Sequence, residues 1–446
     1  MTESKKKIFL LSLGCAKNLV DSENILGLLS SMNYPIVNEI ADSDIVIVNT
    51  CGFLQSAVEE AIDVILDIIE RKKSGDIEKV IVTGCFVQRY GYKLKREMPE
   101  VDGWLGTGEL EKIVELVEPG GDTEAPFYIG RPLFLADHEL PRVHTTPFYS
   151  AYIKIAEGCY HRCSYCAIPS IRGPLRSRPV RSIVAEAKTM RDRGVKEISL
   201  IAQDTTIYGA DLKNGTSIER LFEELLLIEG LEWIRILYSH PYEISDSLLA
   251  LMNTEEAIAP YLDIPFQHVN EQVLKAMGRE IKDETPAELI RRIRSYDRNF
   301  SIRTTLMVGF PGETDEAFEE LYNFVKDTQF DYLGTFIYSP EQGTTAARLK
   351  NDIQDQKVSE KRRDAIMKLQ ADISLEKNVE MIGKVVPVLV EGLSSESELL
   401  LCGRTIRMAP DVDTQILINK GNGVPGEIQN VLITEAHHYD LVGEIV

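Results

Sequence analysis

The sequence holds no run of eighteen apolar residues, so no helix is expected to cross a membrane. It has no long repeat and no low-complexity tract, which argues against solenoid and disordered architectures. Cations are in deficit: 49 Lys and Arg stand against 70 Asp and Glu, a formal net charge of −21. A surface this acidic repels phosphate backbones and favours a basic partner, unless a local positive patch overrides the average. Otherwise the composition is that of a globular protein, 44% hydrophobic and 27% charged. Its 446 residues suit two or three domains.

Lys5, Lys6 and Lys7 precede an apolar stretch ending at Cys15, superficially a lipoprotein signal. The stretch is about six residues, shorter than the roughly 7–15 of a signal core. It reads better as a buried first strand. A cytoplasmic protein is therefore expected, in which thiols stay reduced and structural disulfides are rare. Seven cysteines in that setting are candidates for metal binding or catalysis.

Residues 1–118 alternate apolar runs with helical patterns. Ile8–Leu13, Asp44–Val48 and Lys79–Val82 read as short buried strands, and Asn18–Met32, Leu54–Arg71 and Val87–Glu97 as helices. This order predicts a parallel sheet with helices on its faces. Cys15, Cys51 and Cys85 each follow a strand, where ligands gather in open α/β sheets. Three soft side chains thus share one crevice although 36 and 34 positions separate them. Residues 119–147, with Pro119-Gly120-Gly121, Pro126, Pro132, Pro141 and Pro147, read as a linker.

Residues 148–378 form a second α/β series. Its strand candidates are Ala151–Ile155, Glu197–Ala202, Trp233–Tyr238, Tyr261–Ile264, Ile302–Val308 and Tyr332–Ile337, with helical patterns such as Ser182–Arg193, Ser217–Leu227 and Thr285–Tyr296 between them. Six units predict a partial (β/α)6 barrel with its site at the carboxyl ends of the strands. A polar run, Asn351–Lys361, leads into a closing helix over Ser359–Val379. From 379 to 446, the runs Val385–Val390, Glu398–Cys402 and Thr414–Ile418 read as a small all-β barrel.

Cys159, Cys163 and Cys166 form a C-x₃-C-x₂-C cluster just after a predicted strand. Chance produces that spacing about twice in a thousand chains of this composition. Three close thiolates favour zinc or an iron–sulfur cluster. A structural zinc would want a fourth ligand, and none follows at finger-like spacing, although His161 lies inside the motif. Three cysteines on a four-iron cluster leave one iron open to a small molecule.

This spacing, with Tyr165 before the third cysteine, resembles the radical S-adenosylmethionine (SAM) superfamily. Ser12-Leu13-Gly14-Cys15-Ala16-Lys17-Asn18-Leu19-Val20-Asp21-Ser22-Glu23, Asn49-Thr50-Cys51 and Thr83-Gly84-Cys85 are similar to its methylthiotransferases. The first of these, with Ile168-Pro169-Ser170-Ile171-Arg172-Gly173 and Ser177-Arg178-Pro179, resembles the RimO branch more closely than the tRNA-modifying one, where Gln-Met-Asn tends to follow the cysteine. Ala16 stands where that branch often has Pro.

The resemblance spans the chain and implies two 4Fe-4S clusters with SAM as cofactor. Cys159, Cys163 and Cys166 would hold the SAM-cleaving cluster, and Cys15, Cys51 and Cys85 an auxiliary one. It implies methylthiolation of the β-carbon of an aspartate in small-subunit ribosomal protein S-twelve, a basic partner, with an external electron donor. One SAM would supply the radical and another the methyl group. It also implies a C-terminal TRAM-like domain. That segment, from Glu376, carries eleven acidic against five basic residues, which suits docking to a basic protein and does not require nucleic acid. A monomer is expected.

Around the predicted mouth, Tyr165, Gln203, Gly309, Gly312 and Glu313 are candidates for SAM contacts; a simple Gly-Pro turn is the plainer account of the last three. Asp204 ends the same strand as Gln203 and is a candidate contact to SAM or substrate. Arg172, Arg176, Arg178 and Arg181 read mostly as a solvated basic face, with carboxylate pairing as the alternative. His240 and His268 end strands on the same face and read as structural, and Cys402 as a buried inert thiol. A tRNA adenosine methylthiotransferase and a non-catalytic metal-bearing module remain the competing readings.

Overall fold

The computed structural model describes residues 5–118, 125–349, 354–395 and 397–446; the Pro119-Gly120-Gly121 turn and the start of the Asn351–Lys361 run lie outside them. The N-terminal unit is a five-stranded parallel sheet in sequential order: Ile8–Ser12, Ile45–Thr50, Lys79–Gly84, Gly103–Leu105 and Phe127–Tyr128. Its second strand is buried at all six positions, as expected when helices cover both faces. The expected helix over Val87–Glu97 is two short ones, Cys85–Tyr90 and Tyr92–Glu97, broken at Gly91, which takes φ +61°.

The segment read as a linker packs tightly. It supplies the sheet's edge strand, and Arg142 inserts between Glu23 of the first helix and Glu186 of a barrel helix. That guanidinium is buried and ties the two α/β units together.

Six parallel strands follow: Ser150–Lys154, Glu197–Ile201, Trp233–Ile236, Tyr261–Asp263, Ser301–Val308 and Tyr332–Ile337. They pair as two three-stranded sheets joined by a bridge between Ile234 and Ile258, giving the expected open (β/α)6 barrel. Its core includes Ile153, Leu200, Phe222, Ile302, Val325 and Phe330, all without solvent exposure. Each such side chain contributes about 1.5–3 kcal/mol relative to an exposed one. The Gln356–Val379 helix packs over the last strand.

The chain ends in a closed five-stranded barrel of Val385–Ser394, Ser397–Arg404, Ile416–Lys420, Leu441–Ile445 and Ile428–Ala436. Its 405–413 loop enters the lower end of the large barrel. Ala409 packs with Tyr152, Leu237 and Tyr261, and Asp413 accepts a hydrogen bond from Arg303 at 2.6 Å. Beside it, Glu197 on one barrel strand receives both Arg235 and Arg404, all three fully or nearly fully buried. The small domain is thereby anchored at the amino ends of the barrel strands. No helix among the described residues is long and apolar enough to cross a membrane.

Candidate active site

The parallel register aligns Ser12 with Asn49 and Thr50 with Gly84, so the loops carrying Cys15, Cys51 and Cys85 emerge side by side. Gly14, at φ +94°, lets them close up: a β-carbon there would lie 2.7 Å from that of Cys51. Two asparagines fasten the loops. Asn18 Nδ2 donates to the carbonyls of Leu13 and Thr50 at 3.0 and 2.9 Å. Asn49 Nδ2 donates to Asn18 O and Ser22 Oγ, both at 2.8 Å.

On the barrel, the loop from Cys159 to Cys166 follows the Ser150–Lys154 strand and leads into the Ile168–Arg172 helix. Ser164 fixes it, its N–H and hydroxyl donating to the carbonyls of Met277 and Ala276 at 2.8 Å each. His161 Nε2 meets Asp204 Oδ2 at 2.6 Å and its ring stacks on His240 at 3.9 Å, so this histidine is engaged by the carboxylate. His268 lies deeper, with Nδ1 accepting from the N–H groups of Val269 and Asn270.

The two thiol sets adjoin. Cys85 packs against Ala167, the neighbour of Cys166, and against Ile171. Arg172 reaches back from the barrel to donate to Cys85 Sγ at 3.3 Å, Asn18 Oδ1 at 2.6 Å and Asp21 Oδ2 at 2.7 Å. Lys154 pairs with Asp21 and Glu157 in the same buried network. The basic run after the cluster loop is thus mostly turned inward: Arg172 and Arg178 are buried and paired, Arg176 binds backbone carbonyls, and Arg181 is exposed. Acidic partners on other elements, invisible to local pattern, draw them in.

Burial pushes the thiols of Cys85 and Cys166 up to about 12 and that of Cys159 to about 11. Desolvation also acts on Cys15, but Lys17, the Asn18 N–H and Arg172 outweigh it and hold this thiol below its ordinary value. Crowded thiols of this kind carry charge readily only when a bound cation neutralises them. Among the described residues no group of three His, Cys, Asp or Glu side chains stands arranged to hold one metal ion. All seven cysteines are free. Each triplet has a guanidinium beside it, Arg172 at Cys85 and Arg279 at Cys163, where Arg279 Nη1 lies 3.7 Å from Sγ. Three soft donors with an adjacent cation fit a four-iron cluster with one open corner. Arg279 also fits a ligand carboxylate: it is buried, and its Nε has no hydrogen-bond partner among the described residues.

Sequence reasoning missed Arg279. The signal for it was Gly278, whose φ of +70° brings the chain against Arg162 of the cluster loop. Tyr165, inside that loop, and Gln203, next to Asp204, are both half-buried. Gly309 and Glu313 flank Phe310, which shares an apolar cluster with Tyr165 of that loop. A β-carbon on Gly309 would strike Ser359, and Glu313 is fully buried, accepting from the Gly309 N–H and facing Arg362 at 3.2 Å. These two brace the turn, while Gly312 is exposed. Cys402 is buried in the small C-terminal barrel, its Sγ 3.8 Å from Leu393 O.

Three family profiles tile the chain: the radical SAM superfamily over residues 153–325, the uncharacterized protein family UPF0004 over 7–106, and the TRAM domain over 382–446. With the second thiol set, this build defines a radical SAM methylthiotransferase, an enzyme class that works with 4Fe-4S clusters and SAM. The ribosomal protein uS12 methylthiotransferase RimO of Pelobacter propionicus is 47% identical over 442 residues, 99% of this chain and 98% of that one. Its namesake in Syntrophotalea carbinolica is 48% identical over 445 residues, 99% and 97% of the two chains. This chain belongs to the RimO family. Among solved structures, the radical SAM methyltransferase TsrM of Kitasatospora setae, with cobalamin and a [4Fe-4S] cluster bound, superposes with a TM-score of 0.55 at 15% identity over 75% of each chain, a likeness of fold.

Proposed function

We propose that this enzyme methylthiolates the β-carbon of an aspartate in ribosomal protein uS12. The observation that carries the reading is the nearness of the two thiol sets, with Cys85 packed against Ala167, the neighbour of Cys166. Cys159, Cys163 and Cys166 would hold the SAM-cleaving cluster, and Cys15, Cys51 and Cys85 the auxiliary one. When bound, these groups supply a 5′-deoxyadenosyl radical and a site for sulfur delivery, fed by an external one-electron reductant.

The chain's own residues prepare the mouth. Arg279, beside Cys163, would hold the SAM carboxylate, with Tyr165 and Gln203 flanking it. Gly309 and Glu313 shape the following turn, and Gly312 stands at its exposed tip. The Asp204–His161 bond fixes the cluster loop, and the Asn18 and Asn49 amides fix the auxiliary loops. The acidic C-terminal domain suits a basic protein partner and makes nucleic acid unnecessary for docking; the enzyme would act as a monomer.

Mass spectrometry of uS12 after incubation with reconstituted enzyme, SAM and reductant tests the reading. A mass increase of one methylthio group on one aspartate is expected. Modification of tRNA adenosines with uS12 untouched would overturn it.

A further inference from the structure

Two lysines are buried near the thiols, and the fold treats them differently. Lys154, 3% exposed, is paired with both Asp21 and Glu157. Lys17, 7% exposed, has no carboxylate within 4.0 Å among the described residues. Its ammonium lies 3.3 Å from the centroid of the Tyr238 ring and 3.4 Å from Ala202 O, a long and weak hydrogen bond. A buried ammonium with so few partners is costly unless an anion joins it.

The place of Lys17 is informative. It stands in the first turn of the Ala16–Ser31 helix, two residues after Cys15, where the helix's positive end adds to the attraction for an anion. Its contacts Ala202 and Tyr238 follow the carboxyl ends of the Glu197–Ile201 and Trp233–Ile236 strands. Two positions beyond Ala202, Asp204 holds His161 of the other cysteine loop. Lys17 thus joins the Cys15 helix to the strand end that also carries Asp204, the partner of His161. Tyr238 adopts φ +65°, a strained conformation for a tyrosine, with its N–H 3.3 Å from Asp263 Oδ2. Asp263 and the Cys15 thiol both feel the Lys17 charge, but Asp263 lies beyond 4.0 Å of it and is engaged by that N–H and by Arg303 at 4.0 Å.

We propose that Lys17 is the binding site for the side-chain carboxylate of the substrate aspartate. The inference rests on the uS12 reading and sharpens it. In an aspartate the carboxylate is one bond from the β-carbon, so a cation beside Cys15, at the barrel strand ends, would hold that carbon next to the auxiliary thiols and near the cluster loop that Asp204 fixes. An asparagine at the same position would offer the ammonium no anion at contact distance, which gives the site its selectivity.

The test compares binding of uS12 and of its variant with asparagine at the modified position to anaerobically reconstituted enzyme without reductant. The wild-type enzyme should favour the aspartate form about thirtyfold or more. Lys17→Met should lose that preference and bind both forms as weakly as the wild type binds the asparagine form. Lys17→Arg should keep part of it. Iron content of each variant reports whether the auxiliary thiols are still occupied. Were Lys17 only a counter-ion for the thiols, Lys17→Met would lose iron yet keep the preference, which overturns the proposal. Equal wild-type binding of the two uS12 forms also overturns it. Absence of any uS12 binding by the wild type overturns the uS12 reading itself.

Discussion

Arg172 donates from Nε to Cys85 Sγ at 3.3 Å, although 87 positions separate them and they belong to different domains. The same guanidinium holds Asn18 and Asp21, so one side chain braces an auxiliary cysteine, the asparagine that orders its loops, and the barrel. Arg172→Met removes these bonds and leaves Asp21 with Lys154 alone. Breaking a buried pair costs about 3–5 kcal/mol. Iron is expected to fall from about eight toward about four per chain, the count for one cluster, with a lower melting temperature. Full iron content in a stable variant would show that Arg172 is dispensable to the auxiliary site.

The two thiol sets should separate by function. Cys163→Ala should abolish 5′-deoxyadenosine formation from SAM and reductant. Cys51→Ala should retain that reaction while making no methylthio product. Chromatography of the nucleoside and mass spectrometry of uS12 read the two steps independently. Methylthio product from Cys51→Ala would refute the auxiliary role.

Much of this architecture is legible in local pattern. The six barrel strands announce themselves as β-branched runs between amphipathic helices, and both cysteine sets sit where such strands end. Ile428–Ala436 is harder to see: its only continuous apolar run is Val431-Leu432-Ile433, flanked by Asn430 and Thr434. The charge network was not legible at all. Arg89 and Glu341 are 252 positions apart, and nothing local to either marks it as buried. The same holds for Lys17, which reads as an ordinary helix-surface lysine until Ala202 and Tyr238 are brought to it.

That Arg89–Glu341 pair clamps the auxiliary loop to the barrel. Arg89 Nη1 meets Glu341 Oε2 at 2.9 Å and Gly52 O at 2.8 Å, while Glu341 Oε1 accepts from the Gln55 N–H at 2.9 Å. Glu341→Ala leaves a buried cation beside the Cys51 loop. A stability loss of about 3–5 kcal/mol is expected. Methylthio transfer should fall more than SAM cleavage, because the loop that loosens carries Cys51. Equal loss of both activities would argue against a local effect.

The Glu197 triad makes attachment of the small C-terminal barrel dependent on pH. Burial alone would raise this carboxyl, but Arg404 and then Arg235 outweigh it and hold it below the ordinary carboxylate value. A carboxyl depressed on folding contributes its full stabilisation above its unfolded value, about 4.3, and loses it as pH falls through the folded one. Thermal stability should therefore be flat in this respect at neutral pH and decline below about pH 4.3. Glu197→Gln removes the anion from between two buried guanidiniums and should cost about 3–5 kcal/mol at pH 7. Its own stability should show a shallower acid decline than the wild type, because the titrating partner is gone. Calorimetric melting of both proteins from pH 7 to pH 3.5 measures the difference. Parallel acid declines would mean that the triad is not what the low pH disrupts.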